Sequence, residues 1–232
     1  MSGPAVSGPA VSGPALSGPA SSGGPAKRRA VFLDRDGVVN CLVPDHTGAF
    51  ESPLCPEDVR LTAGAAQHIQ RLRQAGFLVM CVTNQPAAAK GTVSVDRIDL
   101  VHRRVIELLE EGGAHIDGGR VCLHHPAGVV PPLARVCQCR KPAPGMLLSL
   151  AEQFGADLSA SWMIGDTDAD MGAGEAAGVA TILVLNPDSA PKRSRAHRPG
   201  PVAGDLGEAV TALLAGAGRQ DAQAVPGGGQ GG

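Results

Sequence analysis

Three short polar stretches each stand directly after a run of apolar residues. Ala30 to Leu33 leads into Asp34-Arg35-Asp36-Gly37, Phe77 to Val82 into Thr83-Asn84-Gln85, and Trp162 to Ile164 into Gly165-Asp166-Thr167-Asp168-Ala169-Asp170. If the apolar runs are strands of one sheet, carboxylates and hydroxyl groups converge on a single rim. Asp34 and Asp36 lie two apart just past a strand, so both carboxylates can face one mouth, where their repulsion calls for a cation. With Asp166 they make an all-oxygen donor set, which suits Mg²⁺ and not a soft metal. Any one of these aspartates alone could cap a turn. Three at matching positions argue for a site. Lys141 adds the opposite charge, and a lysine beside several carboxylates can hold a phosphoryl group.

A second constellation has softer donors. Cys122-Leu123-His124 is followed, twelve residues on, by Cys137-Gln138-Cys139. Three thiols and an imidazole in two short clusters fit a closed tetrahedral zinc site. The alternative is unlinked or disulfide-paired cysteine, and nothing signals the export that would favour disulfides. His125 adjoins the cluster, but a closed site takes four ligands, so it is assigned to packing or to a bond with a ligand. Such a zinc would be structural, pinning a loop of little hydrophobic content that ends just before Arg140 and Lys141. Cys81 lies in an apolar strand and reads as a core residue, while Cys41 and Cys55 have no evident partner.

The elements that must position these groups alternate in kind. Ala65, Ile69 and Leu72 recur at helical spacing and stop at Gly76. Ile98, Val101, Val105, Leu108 and Leu109 make one face of an amphipathic helix ending at Gly112 and Gly113. Arg120 to Leu123 reads as a third strand, and Met146, Leu150 and Phe154 as another helical stripe. A small-residue helix spans Asp168 to Ala177, a fifth strand Thr181 to Leu185, and a last helix runs from Asp205, its N-cap, to Leu214. Strands alternating with helices predict an α/β fold, a three-layer Rossmann-like parallel sheet with ligands at the carboxyl ends of the strands.

Composition bounds the rest. The 232 residues are 43% hydrophobic and 18% charged with a formal charge of −2. That balance disfavours a nucleic-acid or polybasic membrane surface. Pro, Gly, Asp and Arg interrupt every apolar run before it reaches bilayer length, so a soluble, cytoplasmic protein is expected. Residues 2 to 21 repeat SGPA-type units that bury nothing, and no secretory signal is seen there. Residues 1–27 are therefore read as a disordered tail, 28–215 as the domain, and the Gly-rich 216–232 as a second disordered tail.

The stretches VFLDRDGVVN, VTNQ, CRKP and GDTDAD resemble, in order, the four motifs of the haloacid dehalogenase superfamily of phosphohydrolases. The resemblance implies an aspartyl-phosphate mechanism. Asp34 would attack phosphorus, while Asp36 would protonate the leaving oxygen and later deprotonate the hydrolytic water. Thr83 and Lys141 would hold the phosphoryl oxygens. Mg²⁺ would sit on the Asp34 carboxylate, the Asp36 carbonyl and Asp166, with Asp170 supporting the site from behind.

The zinc loop running into Arg140-Lys141-Pro142 is similar to that of the bacterial D,D-heptose 1,7-bisphosphate 7-phosphatases, and to the related histidinol-phosphate phosphatase domains. That likeness implies a small phosphorylated sugar as substrate, contacted by Asp34, Arg35, Asp36, Thr83, Asn84, Gln85, Arg140 and Lys141. It also implies a monomer without nucleic-acid or membrane partners. Other small-phosphosugar phosphatases and a non-catalytic phosphosugar-binding scaffold are the remaining readings. Two substitutions depart from the family pattern: Thr167 stands where relatives often carry Lys, and Pro86 follows Thr-Asn-Gln where a small hydroxyl residue is usual. The Cys41 to Pro56 segment also looks longer than the family's substrate loop. The spacing leaves no room for a cap domain, so the mouth is expected to be open, bordered by that segment and the zinc loop.

Overall fold

The structure, a computed structural model, describes residues 28–194 and 200–223, the last six of these by backbone alone. The repeat within 1–27 and the final residues 224–232 lie outside the described residues.

The chain runs β1 (Ala30–Leu33), β2 (Val43–Pro44), β3 (Phe50–Glu51), α1 (Ala65–Gln74), β4 (Leu78–Asn84), α2 (Val95–Glu111), β5 (Gly118–Cys122), α3 (Gly145–Phe154), β6 (Trp162–Gly165), α4 (Asp168–Ala177), β7 (Ala180–Val184), a 3₁₀ turn (Pro187–Lys192), β8 (Val202–Ala203) and α5 (Leu206–Gln223). Six strands form one parallel sheet in the order β5-β4-β1-β6-β7-β8, and β2 and β3 form a separate hairpin. From β1 the chain builds outward to β5 on one side, then crosses to build outward from β6 on the other. The order therefore reverses beside β1, where ligands of such sheets bind.

Period-two alternation in β1 divides the core into two layers. Val31 and Leu33 face α1, α2 and α5 through Ile69, Leu72, Val101, Val105, Leu109, Val210 and Leu213. Ala30 and Phe32 face α3 and α4 through Met146, Leu147, Leu150, Ala173 and Ala177. Each fully buried aliphatic side chain contributes about 1.5–3 kcal/mol, so both faces of β1 are anchored against slippage. Among the described residues there is no inserted cap domain; between β1 and α1 lie only the small β2–β3 hairpin and a 3₁₀ turn at Pro56–Asp58. The hairpin is closed by Asp45, whose Oδ1 accepts from the Thr47 amide and hydroxyl and from the Ala49 amide.

Three features differ from expectation, the first being the β2–β3 hairpin, which lies in a segment read as loop. β8 is a two-residue strand, too short to show a pattern. The last helix, expected to stop at Leu214, continues to Gln223. The described part of the predicted 216–232 tail is thus helical, because Ala215, Ala217, Arg219, Gln220 and Ala222 are strong helix formers that outweigh Gly216 and Gly218.

Candidate active site

Because β4, β1 and β6 are adjacent, their carboxyl ends bring Thr83, Asp34 and Asp166 together. They line a mouth of about 290 Å³ with Asp36, Asn84, Arg140, Lys141 and Thr167; Leu42, Glu51 and Ser52 come from the hairpin segment, and Ser189 and Lys192 from the 3₁₀ turn. Lys141 is buried at its centre. Its Nζ donates to Asp34 Oδ1 at 2.8 Å, to Asp170 Oδ1 at 2.5 Å and to the Val82 carbonyl at 2.9 Å. Asn84 clamps the Lys141 backbone from both sides, accepting from its N–H at 3.1 Å and donating to its carbonyl at 3.0 Å.

The Asp34 carboxylate is oriented by Lys141 and by the Arg35 amide, 2.7 Å from Oδ1; Oδ2 carries no hydrogen bond among the described residues. Burial, and then the negative charge of Asp170, hold its carboxyl well above the usual range despite Lys141. Burial works against the Lys141 charge, but the Asp170 and Asp34 carboxylates overcome it and push its pKa above the ordinary lysine value. Asp166 is different: both of its oxygens are buried without a hydrogen-bond partner among the described residues, and burial followed by the Asp170 charge raises its pKa to about 6. Asp34, Asp166 and Asp170 each offer an oxygen within 4.8 Å of the others. Asp170, however, is already engaged, by Lys141 through Oδ1 and by the Thr167 amide and hydroxyl through Oδ2. An orphaned buried carboxylate beside a second one is an incomplete set that a hard divalent cation completes, so the residues fit magnesium.

Asp36 sits in a cage of donors. Arg35 reaches both of its oxygens, Asn40 donates to Oδ1 at 2.9 Å, and Ser52 and Gln85 donate to Oδ2 at 3.0 and 2.5 Å. Thr83 lies 3.3 Å from the same Oδ2. Burial alone would raise this carboxyl, but the Arg35 guanidinium and the Asn40, Arg35 and Ser52 hydrogen bonds leave it below the usual value.

The cage draws the side chains of two expected substrate contacts away from the mouth. Arg35 and Gln85 are buried, and neither lines the mouth. Their side chains turn inward because Asp36, an anion almost removed from water, needs their donors. Asn40 and Ser52 were missed, as a lone Asn and Ser in loop sequence carry no spacing signal.

Gly37 closes the turn with φ +88°, and a Cβ there would stand 2.1 Å from Asp166 Oδ2. Gly37→Ala should therefore displace the Asp166 carboxylate. The expected loss is about 100-fold or more in kcat/KM together with weakened magnesium affinity. Steady-state kinetics titrated with Mg²⁺ check this, and wild-type behaviour would contradict the geometry.

Behind Arg35, α2 presents His102, whose Nδ1 has no partner among the described residues. Burial, and then the Arg35 charge, lower its pKa from 6.5 to about 4. The folded state thus binds fewer protons here than the unfolded one. The stability this confers is complete above pH 6.5 and is lost as pH falls through about 4. Relative to wild type, His102→Gln should flatten that acid limb, by up to about 3 kcal/mol. Urea unfolding from pH 7.5 to 4 measures it, and parallel wild-type and variant curves would disprove it.

The soft-donor cluster also assembles. Cys139 Sγ lies 3.2 Å from Cys137 Sγ, 3.3 Å from Cys122 Sγ and 3.2 Å from His124 Nδ1, and Cys122 and Cys137 are 3.7 Å apart. The Cys122–Cys137 spacing matches the edge, about 3.8 Å, of a tetrahedron with Zn–S bonds of about 2.3 Å, and the other three spacings are tighter by about 0.3–0.6 Å. All six cysteines are free. Hydrogen bonds, led by the one from Cys122, lower the Cys139 thiol to about 5, so the cluster readily yields a thiolate. His124 Nε2 lies 2.8 Å from Arg135. His125 stands outside the cluster, its Nδ1 accepting from the Ala127 amide. The donor set fits zinc, and it clasps a loop in which no residue from 123 to 140 is fully buried.

A parallel sheet with an acidic switch-point site and a lysine clamp defines the class: a HAD-like hydrolase fold. A HAD-hydrolase-like family model matches residues 138–209. The chain is 39% identical over 153 residues to a D-glycero-β-D-manno-heptose-1,7-bisphosphate 7-phosphatase of Rhodopseudomonas palustris, covering 66% of this chain and 81% of that one. Its identity to the Escherichia coli K12 protein of the same name is 36% over 156 residues, 67% of this chain and 78% of that one. Among solved structures, the D,D-heptose 1,7-bisphosphate phosphatase of B. bronchiseptica, complexed with magnesium and phosphate, superposes with TM-score 0.67 at 29% identity, covering 81% of this chain and 99% of that one. The chain belongs to the heptose-1,7-bisphosphate 7-phosphatase family.

Proposed function

We propose that the protein is a magnesium-dependent phosphatase that removes the 7-phosphate of D-glycero-D-manno-heptose 1,7-bisphosphate through an aspartyl-phosphate on Asp34. The observation that carries this is the buried Lys141 bridging Asp34 and Asp170 beside an Asp166 that has no hydrogen-bond partner among the described residues. The name shared by the relatives supports the substrate.

Asp34 attacks phosphorus and the bond from phosphorus to the sugar oxygen breaks, with Asp36 giving its proton to that oxygen. Water then attacks the acyl phosphate, Asp36 takes its proton, and phosphate leaves with the Asp34 carboxylate restored. Lys141 and Thr83 hold the phosphoryl oxygens. The donor cage keeps Asp36 anionic at rest, the form suited to the second step; before the first step the cage must yield enough for it to carry a proton. The Asp34 and Asp166 carboxylates and the Asp36 carbonyl would hold magnesium, which when bound neutralises charge on carboxylates and phosphoryl oxygens alike. Asn84 and Arg140, which border the mouth, contact the substrate. Cys122, His124, Cys137 and Cys139 hold a structural zinc.

The phosphatase unit runs from 28 through the last helix, which extends past the expected boundary at 215 to Gln223, and acts as a cytoplasmic monomer. Among the described residues no helix is long and apolar enough to cross a membrane. Turnover with magnesium of the heptose bisphosphate, histidinol phosphate and simple sugar phosphates tests the reading. The heptose bisphosphate should be preferred by orders of magnitude; the same preference for histidinol phosphate would refute the substrate assignment.

A further inference from the structure

The wall of the mouth formed by Asp166, Thr167 and Ala169 carries no cation of its own, yet a cation reaches the mouth from another element. Lys192, the last residue of the 3₁₀ turn that follows β7, lines the same mouth. The turn is fixed directly to the acidic loop. Ser189 Oγ donates to the Asp166 carbonyl at 3.2 Å, and Arg193 donates to that carbonyl at 3.1 Å and to Ser189 Oγ at 2.8 Å. The base of Lys192 is thereby held in register with the phosphoryl site.

Its present partner is Glu51 of the hairpin, 2.7 Å from Nζ, with the two side chains 56% and 38% exposed for Glu51 and Lys192. Glu51 also lines the mouth. An ion pair this exposed contributes only about 0–1 kcal/mol. A dianionic phosphate arriving at the rim offers more charge and three acceptor oxygens, so it can displace the carboxylate.

We propose that Lys192 is a specificity-determining contact for the second phosphate of the substrate, the one that does not react, and that it exchanges Glu51 for that phosphate on binding. This rests on the bisphosphatase reading above. A monophosphate leaves the Glu51–Lys192 pair intact and gains nothing from it. A bisphosphate breaks the pair and takes the cation, and Glu51, otherwise a repelling charge at the mouth, turns away.

The experiment compares full-length wild type, Lys192→Ala, Lys192→Arg and Glu51→Gln on heptose 1,7-bisphosphate and heptose 7-monophosphate with magnesium. Lys192→Ala should raise KM for the bisphosphate about tenfold, with kcat and the monophosphate KM within twofold of wild type. Lys192→Arg should restore the bisphosphate KM, and Glu51→Gln should leave it equal or lower. An equal KM rise on both substrates, or no rise on either, overturns the role of Lys192 while leaving the phosphatase reading in place. If wild type hydrolyses neither heptose phosphate, both readings fall.

Discussion

Replacing Asp34 by Asn should reduce phosphatase turnover by about 10⁴-fold or more, the scale seen when a covalent nucleophile is removed. The amide cannot form the acyl phosphate, so no radiolabelled phosphate should attach to the variant in a rapid quench. The fold should not suffer. The native environment disfavours the charge on Asp34, since burial and Asp170 raise its pKa, and Asn removes that charge from a crowded acidic cluster. Lys141 keeps its Asp170 partner at 2.5 Å. Without added metal, the variant should therefore melt no lower than wild type. Substantial residual turnover would rule out the covalent route. A large drop in melting temperature would instead mean that the Asp34–Lys141 contact is a principal support of the fold.

On the proposed structural zinc, loss of the clasp should have the second largest effect. In Cys137→Ser a hydroxyl that stays protonated replaces a thiolate ligand, and zinc content should fall from about one per chain to a small fraction. The loop cannot compensate by burial, because none of residues 123–140 is fully buried and Val129 and Val136 are 72% and 81% exposed. A destabilisation of about 2–5 kcal/mol would lower the melting temperature on the order of 10 °C. Activity should fall too, since Arg140 and Lys141 follow Cys139 directly and Lys141 is the clamp on Asp34. Metal analysis and thermal melts decide the matter. Unchanged zinc and unchanged melting would refute a structural metal.

The candidate site was legible in sequence wherever its chemistry is carried by unusual residue types at short spacing. The Asp34-Arg35-Asp36 turn, the Asp166 loop, Lys141 and the Cys/His pairs need no partner to be noticed. An unbroken apolar run likewise placed β1, helical stripes placed α1 and α2, and a run of small residues placed α4, near their observed positions. What escaped has weak local signal. β8 has two residues, and Lys192 and Ser52 are ordinary loop residues until the chain brings them to the mouth.

By itself, the sequence determined which side chains can do phosphoryl chemistry and which can bind a soft metal, because both depend on atoms the residues carry. Tertiary structure alone decided where those atoms point. It turned Arg35 and Gln85 inward to satisfy Asp36, used both Asp170 oxygens on Lys141 and Thr167, and carried Lys192 beside the acidic loop. Such choices follow from desolvation: a buried charge accepts whatever donors long-range packing delivers, and that supply cannot be read from neighbours along the chain.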